Sequence, residues 1–387
     1  MWDDLQAELT LLEHRNLLRT LSTVEAVDGP RVRIDGRWGV AWCTNDYLGL
    51  SQHPRLAAAA AEAAKQWGVG ARASRLLAGS TQVHAELEAR VARWCSAEAA
   101  VVFASGYLAN LGTLCTIAGP DDVILVDRLA HASLIDACRA SRALLRVFRH
   151  NDVAQVRRLL PRYARARRRV IVTEGLFSMD GDFAPLADLL DAARACRAVV
   201  YLDDAHGVFA LGASGRGSPE RAGVSSDDMI YMGTLGKALG CQGGFIVGPA
   251  SLIRAVHNRA RAFIYATALA VPVAAAACEA VQVLEDDASP RLRLAERVGW
   301  LQQQLQSAGL LTARPSSHVV PIFLGVSSRA VRVASRLWEQ GIFAPAIRPP
   351  TVPEGTARLR LSVSALHTQE QVDQLVAALR DVVSEAP

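Results

Sequence analysis

Short, continuous apolar runs recur along the first two thirds of the chain, with helical stretches between them. They are "AVVF" at 100–103, "VILV" at 123–126, "LLRVF" at 144–148, "VIVT" at 170–173, "VVYLD" at 199–203, "MIYMG" at 229–233 and "GFIVG" at 244–248. Strands that are apolar throughout, rather than alternating, belong to a sheet covered on both faces, and helical spacers make that sheet mostly parallel. The last two runs are close enough to form an antiparallel edge. After about residue 270 the texture changes to an alanine-rich helix, the run "HVVPIFLGV", a helix near 327–340 and the proline-rich "APAIRPPTVPEGT". The alternating strand "ARLRLSVS" and a helix from about 368 follow, together a smaller α+β domain.

Composition supports this picture. The 387 residues have room for one large and one smaller domain, and 51% hydrophobic with 21% charged residues describes an ordinary globular interior and surface. The expected segments are 1–44, an N-terminal helix and small strands; 45–285, the large α/β domain; and 286–387, the small one. A net charge of +4 is modest for this length, and the basic stretch "RYARARRRV" at 162–170 reads as a solvated loop rather than a nucleic-acid patch. The seven cysteines, at 43, 95, 115, 138, 196, 241 and 278, have no metal-ligand spacing and read as reduced thiols of a cytoplasmic protein. The opening "WDDLQAELTLLEHR" has no signal-peptide pattern, and no run reaches membrane-spanning length.

Among 42 basic residues only Lys65 and Lys237 are lysines. A position that needed only positive charge would fit the arginine habit of this chain. Lysine differs because its amine can lose a proton and form a Schiff base. Lys237 sits in "GTLGKALG", immediately after an apolar run.

Ligands of open α/β sheets bind beyond the carboxyl ends of the strands, so the residues following each run matter. Ser105 and Gly106 follow the first and would open a helix whose N–H groups suit a phosphate. His131 follows the second, Glu174 and Ser178 the fourth. Asp203 closes the fifth run with His206 three residues on, and Thr234 closes the sixth, three residues before Lys237. A lysine amine, a phosphate cradle, a carboxylate for a ring nitrogen and histidines for its face and oxygen together describe a pyridoxal phosphate (PLP) site. Dinucleotide, P-loop and G-x-S-x-G motifs are missing from the expected places.

The segments "TNDYLGLSQHP", "DRLAHASLIDA", "EGLFSMDGDFAPL", "DDAHGV", "TLGKALG" and "AIRPPTVPEGTARLRLSVSALH" strongly resemble the α-oxoamine synthases over nearly the whole chain. That resemblance implies the PLP-dependent transferase fold type I, aspartate aminotransferase-like, with a mostly parallel seven-stranded sheet in the large domain. "AIRPPTVP" is the segment most specific to the branch serving biotin biosynthesis, which joins L-alanine to pimeloyl-CoA or pimeloyl-ACP with loss of carbon dioxide.

Carried over position by position, the resemblance makes Lys237 the Schiff-base lysine and α-proton base. It places Asp203 at the pyridine nitrogen, His206 at the ring hydroxyl and His131 on the ring face. Ser105, Gly106, Tyr107 and Thr234 would lie at or beside the phosphate, Ser178 near a cofactor oxygen, and Thr267 would reach the phosphate of the neighbouring subunit of a homodimer. Arg360 would bind the amino-acid carboxylate. Strand alternation puts Arg358 on the same face, so the residues themselves do not choose between the two. Asn45, Arg348 and Thr351 would lie near the substrate and Arg19 near the distal end of the acyl chain. Where relatives carry a glycine-rich stretch, this chain has Ala71, Arg72 and Ala73, whose side chains narrow the space there. The rival readings are a sister enzyme using glycine or serine with another acyl-CoA, and a non-catalytic PLP-fold subunit.

Overall fold

The computed structural model describes residues 1–311 and 317–384. The chain divides into two compact units, one made of Leu50–Ser178 and Phe183–Arg291, the other of Met1–Gly49, Met179–Asp182 and Leu292–Pro387. The segment 1–44 is therefore no free-standing element. It opens with a helix, Trp2–His14, and continues as β1 (Val24–Asp28), β2 (Arg31–Ile34) and β3 (Arg37–Ala41). The last of these pairs in parallel with a strand from far down the chain, which ties the segment to the C-terminal portion.

The larger unit holds seven strands. They are β4 (Ala99–Phe103), β5 (Val123–Asp127), β6 (Leu144–Phe148), β7 (Arg169–Glu174), β8 (Val199–Asp203), β9 (Met229–Thr234) and β10 (Gly244–Gly248). Their order in the sheet is β4-β10-β9-β8-β7-β5-β6. Every residue of β5 and β9 is buried, as continuous apolar runs covered on both faces require. β10 runs antiparallel to β9, as its short connection predicts, but it is not an edge, because β4 pairs antiparallel along its other side. Since β10 opposes both neighbours, β4 points the same way as β9. The carboxyl ends of β4, β5, β7, β8 and β9 thus share one edge of the sheet. Helices Gly106–Ile117 and Ala132–Ala140 cover one face through Leu114, Leu134 and Ala137, which are fully buried in the same core as Val126, Val172 and Ile246.

In the smaller unit β11 (Val319–Gly325), β12 (Ile342–Phe343), β13 (Ala346–Ile347) and β14 (Ala357–Ser362) complete two sheets, ordered β1-β2-β3-β12 and β11-β14-β13. β14 is buried at all six positions, including its two arginines. Pro321 of β11 stands opposite Arg360, and Phe323 opposite Arg358. The helix Gln369–Ser384 sends Val372, Leu375 and Leu379 into this unit's core. All seven cysteines are free thiols. No helix among the described residues is long and apolar enough to cross a membrane.

Candidate active site

The shared edge of the large sheet carries a cavity of about 200 Å³, lined among others by Gly106, Tyr107, His131, Asp203, Thr234 and Lys237. At one end, the helix Gly106–Ile117 begins. Its N-cap Ser105 accepts the Leu108 N–H on its hydroxyl, and the Ser105 carbonyl takes the Ala109 N–H. The N–H groups of Gly106 and Tyr107 are left as the two without an intrahelical acceptor. The backbone packs closely here: a Cβ on Gly244 of the adjacent strand would lie 2.5 Å from Gly106 Cα, so glycine is needed there. The Tyr107 hydroxyl donates to Asp136 and so joins the first turn of this helix to the helix that follows His131.

Lys237 lies in the loop between β9 and β10. Gly240 N–H donates to the Lys237 carbonyl (2.8 Å), and Cys241 N–H to Leu235 (2.9 Å). Gly240 takes a left-handed φ of 65° and a Cβ on it would stand 2.3 Å from Ser51 N, so the turn that presents the lysine depends on glycine. The Thr234 hydroxyl donates to the Gly243 carbonyl (2.8 Å) and accepts the Gly236 N–H (3.1 Å). Its proton closes the lysine loop, leaving Thr234 to act on a phosphate only by turning away from Gly243. Lys237 Nζ is 2.7 Å from His206 Nε2.

Asp203, 5% exposed, accepts the Ala205 N–H on Oδ1 (3.0 Å) and the Asn110 amide on Oδ2 (2.7 Å). Asn110 also donates to Ser133 (2.9 Å) and accepts the Tyr201 hydroxyl (2.8 Å), while Ser133 Oγ stands 2.8 Å from His131 Nδ1. The His131 backbone N–H donates to Glu174 (2.7 Å), and the Ser178 N–H meets the other oxygen of that carboxyl (3.4 Å). Burial, reinforced by the charge of Asp203, pushes the Glu174 carboxyl up to about 8. Surrounding protein, with Lys237 assisting, holds the His131 imidazole below its ordinary value, against the opposing pull of Asp203. Next in sequence to Asp203, Asp204 accepts from Ser218 and Tyr231 and is a buried support of the turn that carries His206.

Gly106, Tyr107, His131, Asp203, His206, Thr234 and Lys237 thus meet around one cavity. Ser105 and Ser178 do not line it, and Thr267 pairs with Ser74 beside a separate, smaller cavity. Asn110, Ser133 and Tyr201 are additions that the sequence reading did not single out. The one available signal for Asn110 was a polar residue in the apolar helical run "GYLANLGTL".

The residues expected to touch substrate form two clusters in the smaller unit. Arg360 donates to Asn45 (3.3 Å), to the Tyr47 hydroxyl (3.1 Å) and to Ser362 (2.9 Å), all neutral groups. Arg358 donates instead to the Asp180 carboxylate (2.7 Å) and lies 4.3 Å over the Phe323 ring. Arg348 donates to the carbonyls of Asn16 and Leu18, and Arg19 to the Pro349 carbonyl (3.2 Å) and the Thr351 hydroxyl (3.4 Å). The four residues Arg19, Arg348, Pro349 and Thr351 therefore form one strap.

The donor set in the larger unit fits PLP. Two helix N-terminal N–H groups suit a phosphate, a buried carboxylate suits a protonated ring nitrogen, and an amine lies in the same cavity, with His206 beside it.

Comparison with known proteins agrees. Residues 39–379 match the family described as aminotransferase class I and II. The chain is 44% identical to 8-amino-7-oxononanoate synthase of Anaeromyxobacter dehalogenans, covering 100% of this chain and 96% of that one. It is 43% identical to the enzyme of the same name from Geobacter metallireducens, over 96% of each. Among solved structures, a serine palmitoyltransferase from S. paucimobilis with bound PLP and myriocin is similar at a TM-score of 0.94 and 30% identity, covering 100% and 98% of the two chains. The 8-amino-7-oxononanoate synthase of Francisella tularensis is similar at 0.78 and 27%, covering 90% and 98%. The chain belongs to the aminotransferase class I and II family and, within it, to the 8-amino-7-oxononanoate synthases, PLP-dependent acyltransferases.

Proposed function

We propose that the enzyme condenses L-alanine with a pimeloyl thioester, carried on coenzyme A or on an acyl carrier protein, to give 8-amino-7-oxononanoate, carbon dioxide and the free thiol. The setting is biotin biosynthesis in the cytoplasm. The observation that carries this reading is Lys237 Nζ, 2.7 Å from His206 Nε2, in one cavity with Asp203 and the Gly106 helix start.

The N–H groups of Gly106 and Tyr107 would hold the phosphate, Asp203 the ring nitrogen, His206 the ring oxygen, and Lys237 the aldehyde carbon. PLP bound there supplies an electron-accepting ring that stabilises negative charge on the amino-acid Cα. Lys237, once its amine is released, takes the α-proton at Nζ, and His206 orients that amine through their hydrogen bond. Asp203 would favour the protonated form of the ring nitrogen by placing a carboxylate against it. Arg360 holds the carboxylate of alanine through its paired N–H groups. The Cα then bonds to the thioester carbonyl carbon and the C–S bond breaks, the sulfur leaving as thiolate and taking a proton from solvent, while Lys237 keeps the α-proton. The bond from Cα to the original carboxylate breaks next, carbon dioxide leaves, and Lys237 returns a proton to Cα. Arg19, Arg348 and Thr351 would meet the acyl portion.

We further propose a homodimer in which the partner's Thr267 completes the phosphate site. The separation of Thr267 from the cavity lining within one chain supports that reading.

Thiol release and product mass test the reaction, with alanine, glycine and serine each paired with pimeloyl-, succinyl- and palmitoyl-CoA. Preference for alanine with pimeloyl-CoA is expected. Preference for serine with palmitoyl-CoA would move the chain to the activity named for its serine palmitoyltransferase neighbour.

A further inference from the structure

The hydrogen bonds behind the cavity run in one direction, and that direction assigns a proton. Asn110 is 1% exposed, so each of its polar atoms must be matched within the protein. The amide has two N–H donors and one acceptor oxygen. Asp203 presents only acceptors when ionised, so the nitrogen must face it. Reversing the amide would set Oδ1 against the carboxylate and Nδ2 against the Tyr201 hydroxyl, a phenol that burial and the Asp203 charge keep protonated. Both N–H groups are therefore committed, one to Asp203 and the other to a lone pair of Ser133 Oγ, 2.9 Å away.

Ser133 then has its own hydroxyl proton to place. Its oxygen is 2.8 Å from His131 Nδ1, and its backbone N–H also points to that nitrogen at 3.2 Å, in the N-cap of the helix Ala132–Ala140. A protonated Nδ1 would oppose two donors. Nδ1 is thus the acceptor and the neutral ring carries its proton on Nε2. No other hydrogen bond to the His131 side chain is present among the described residues, so Nε2 remains for a ligand. The ring lines the cavity.

We propose that Asn110, acting through Ser133, is a positioning residue that helps fix His131 as the Nε2–H tautomer and so makes it a hydrogen-bond donor toward an acceptor oxygen of the substrate, while its other N–H orients the Asp203 carboxylate. The tautomer stands on the hydrogen bonds alone. Its use in catalysis rests on the function proposed above. Charged or titratable groups that act on His131 from neighbouring elements are Asp203, Lys237, Asp136 and Glu174. The depressed basicity of the ring agrees with a neutral imidazole near pH 7.

The test is long-range nitrogen–proton NMR of the holoenzyme labelled in histidine side chains, with the His131 signals assigned through His131→Gln. An unprotonated Nδ1 and a protonated Nε2 are expected. In Asn110→Ala and in Ser133→Ala the backbone N–H of residue 133 remains the sole fixed donor to Nδ1, so the Nδ1–H tautomer should become detectable as a minor form beside the Nε2–H one, and kcat should fall about 10- to 100-fold. The KM for alanine should move by less than about threefold, because the carboxylate contact is elsewhere. If Asn110→Ala is insoluble, Ser133→Ala carries the same readout. A protonated Nδ1 in the unaltered enzyme, or an unchanged single tautomer in the soluble variants, overturns the proposal. Inactivity of the unaltered enzyme on every amino acid and thioester pair overturns the function instead and leaves the tautomer result standing.

Discussion

Arg358 and Arg360 look equivalent in the sequence, two residues apart on one strand, yet the structure gives them opposite consequences. Consider Arg358→Met and Arg360→Met separately. Arg358 is almost fully buried, its side chain 3% exposed, and it donates to Asp180 at 2.7 Å and to the Met179 and Thr356 carbonyls. Removing one partner of a buried pair costs about 3–5 kcal/mol when the other charge stays buried. The Asp180 side chain is 27% exposed and can recover some hydration, which lowers the expected loss to about 2–3 kcal/mol. Arg360 donates to Asn45, Tyr47 and Ser362, and two of these, Tyr47 and Asn45, already bond each other at 3.1 Å. Replacing this buried guanidinium by a thioether of similar length removes a desolvated charge as well as its hydrogen bonds, so stability should change by less than about 1 kcal/mol.

The functional effect should be reversed. A paired, charge-assisted contact to the alanine carboxylate is worth about 3–4 kcal/mol, so Arg360→Met should lower kcat/KM for alanine about 10²- to 10³-fold. Arg358→Met should change it by less than about fivefold. Urea denaturation of the holoenzyme reads the first quantity, and thiol release at varied alanine concentration reads the second. The reasoning is refuted if Arg358→Met depresses kcat/KM as strongly as Arg360→Met while its denaturation midpoint stays in place.

Three other outcomes follow from single residues. Lys237→Arg should keep the charge beside His206 but lose turnover, and borohydride treatment should trap no PLP on the protein by mass spectrometry; a trapped adduct elsewhere would reassign the amine. Glu174 is pushed up to about 8 chiefly by burial, so its contribution to stability is complete below about pH 4.5 and declines as pH rises through 8. Glu174→Gln should flatten the stability profile between those limits, and an unchanged slope would show that Glu174 does not titrate there. His367, stacked 3.8 Å from Trp42 and donating to the Ala41 carbonyl, is pushed down to about 4 by burial. That depression destabilises the fold as pH falls from 6.5 toward 4, by about 3 kcal/mol in total. His367→Gln should remove most of that loss, measured as the urea midpoint against pH.

How much of this was legible beforehand depends on how local each signal is. The inner strands of the large sheet coincide with apolar runs because burial on both faces leaves few polar positions to interrupt them, whereas the edge strand β6 is largely exposed and carries Arg146. The place of β10 was not legible. Chain proximity to β9 announces an antiparallel partner, but only pairing on its free side with β4, over 140 residues earlier in the sequence, removes it from the edge. The helix and small strands of the segment 1–44 were legible, but their attachment was not, for a similar reason. Its own strands are short and half exposed, and what fastens them is pairing between Val40 and Ile342, a long-range contact that leaves no local pattern.

The site divides along the same line, between residue type and donor accounting. Lys237, Asp203, His206 and His131 could be chosen from chemistry because each offers something few side chains offer, and each follows a strand end. Hydroxyl groups are different. Ser105 and Thr234 were reasonable phosphate ligands by type, but a hydroxyl has one proton, and whether it is available depends on the nearest carbonyl. Thr234 gives its proton to Gly243, whereas Ser105 accepts the Leu108 N–H as helix cap and keeps its own proton to give. The backbone N–H groups of Gly106 and Tyr107, which belong to no residue type, are the donors left without an intrahelical acceptor at this helix start. Asn110 shows the converse. Its amide matters because of three partners contributed by three separate segments, Asp203, Ser133 and Tyr201, and no spacing along the chain could have announced their meeting.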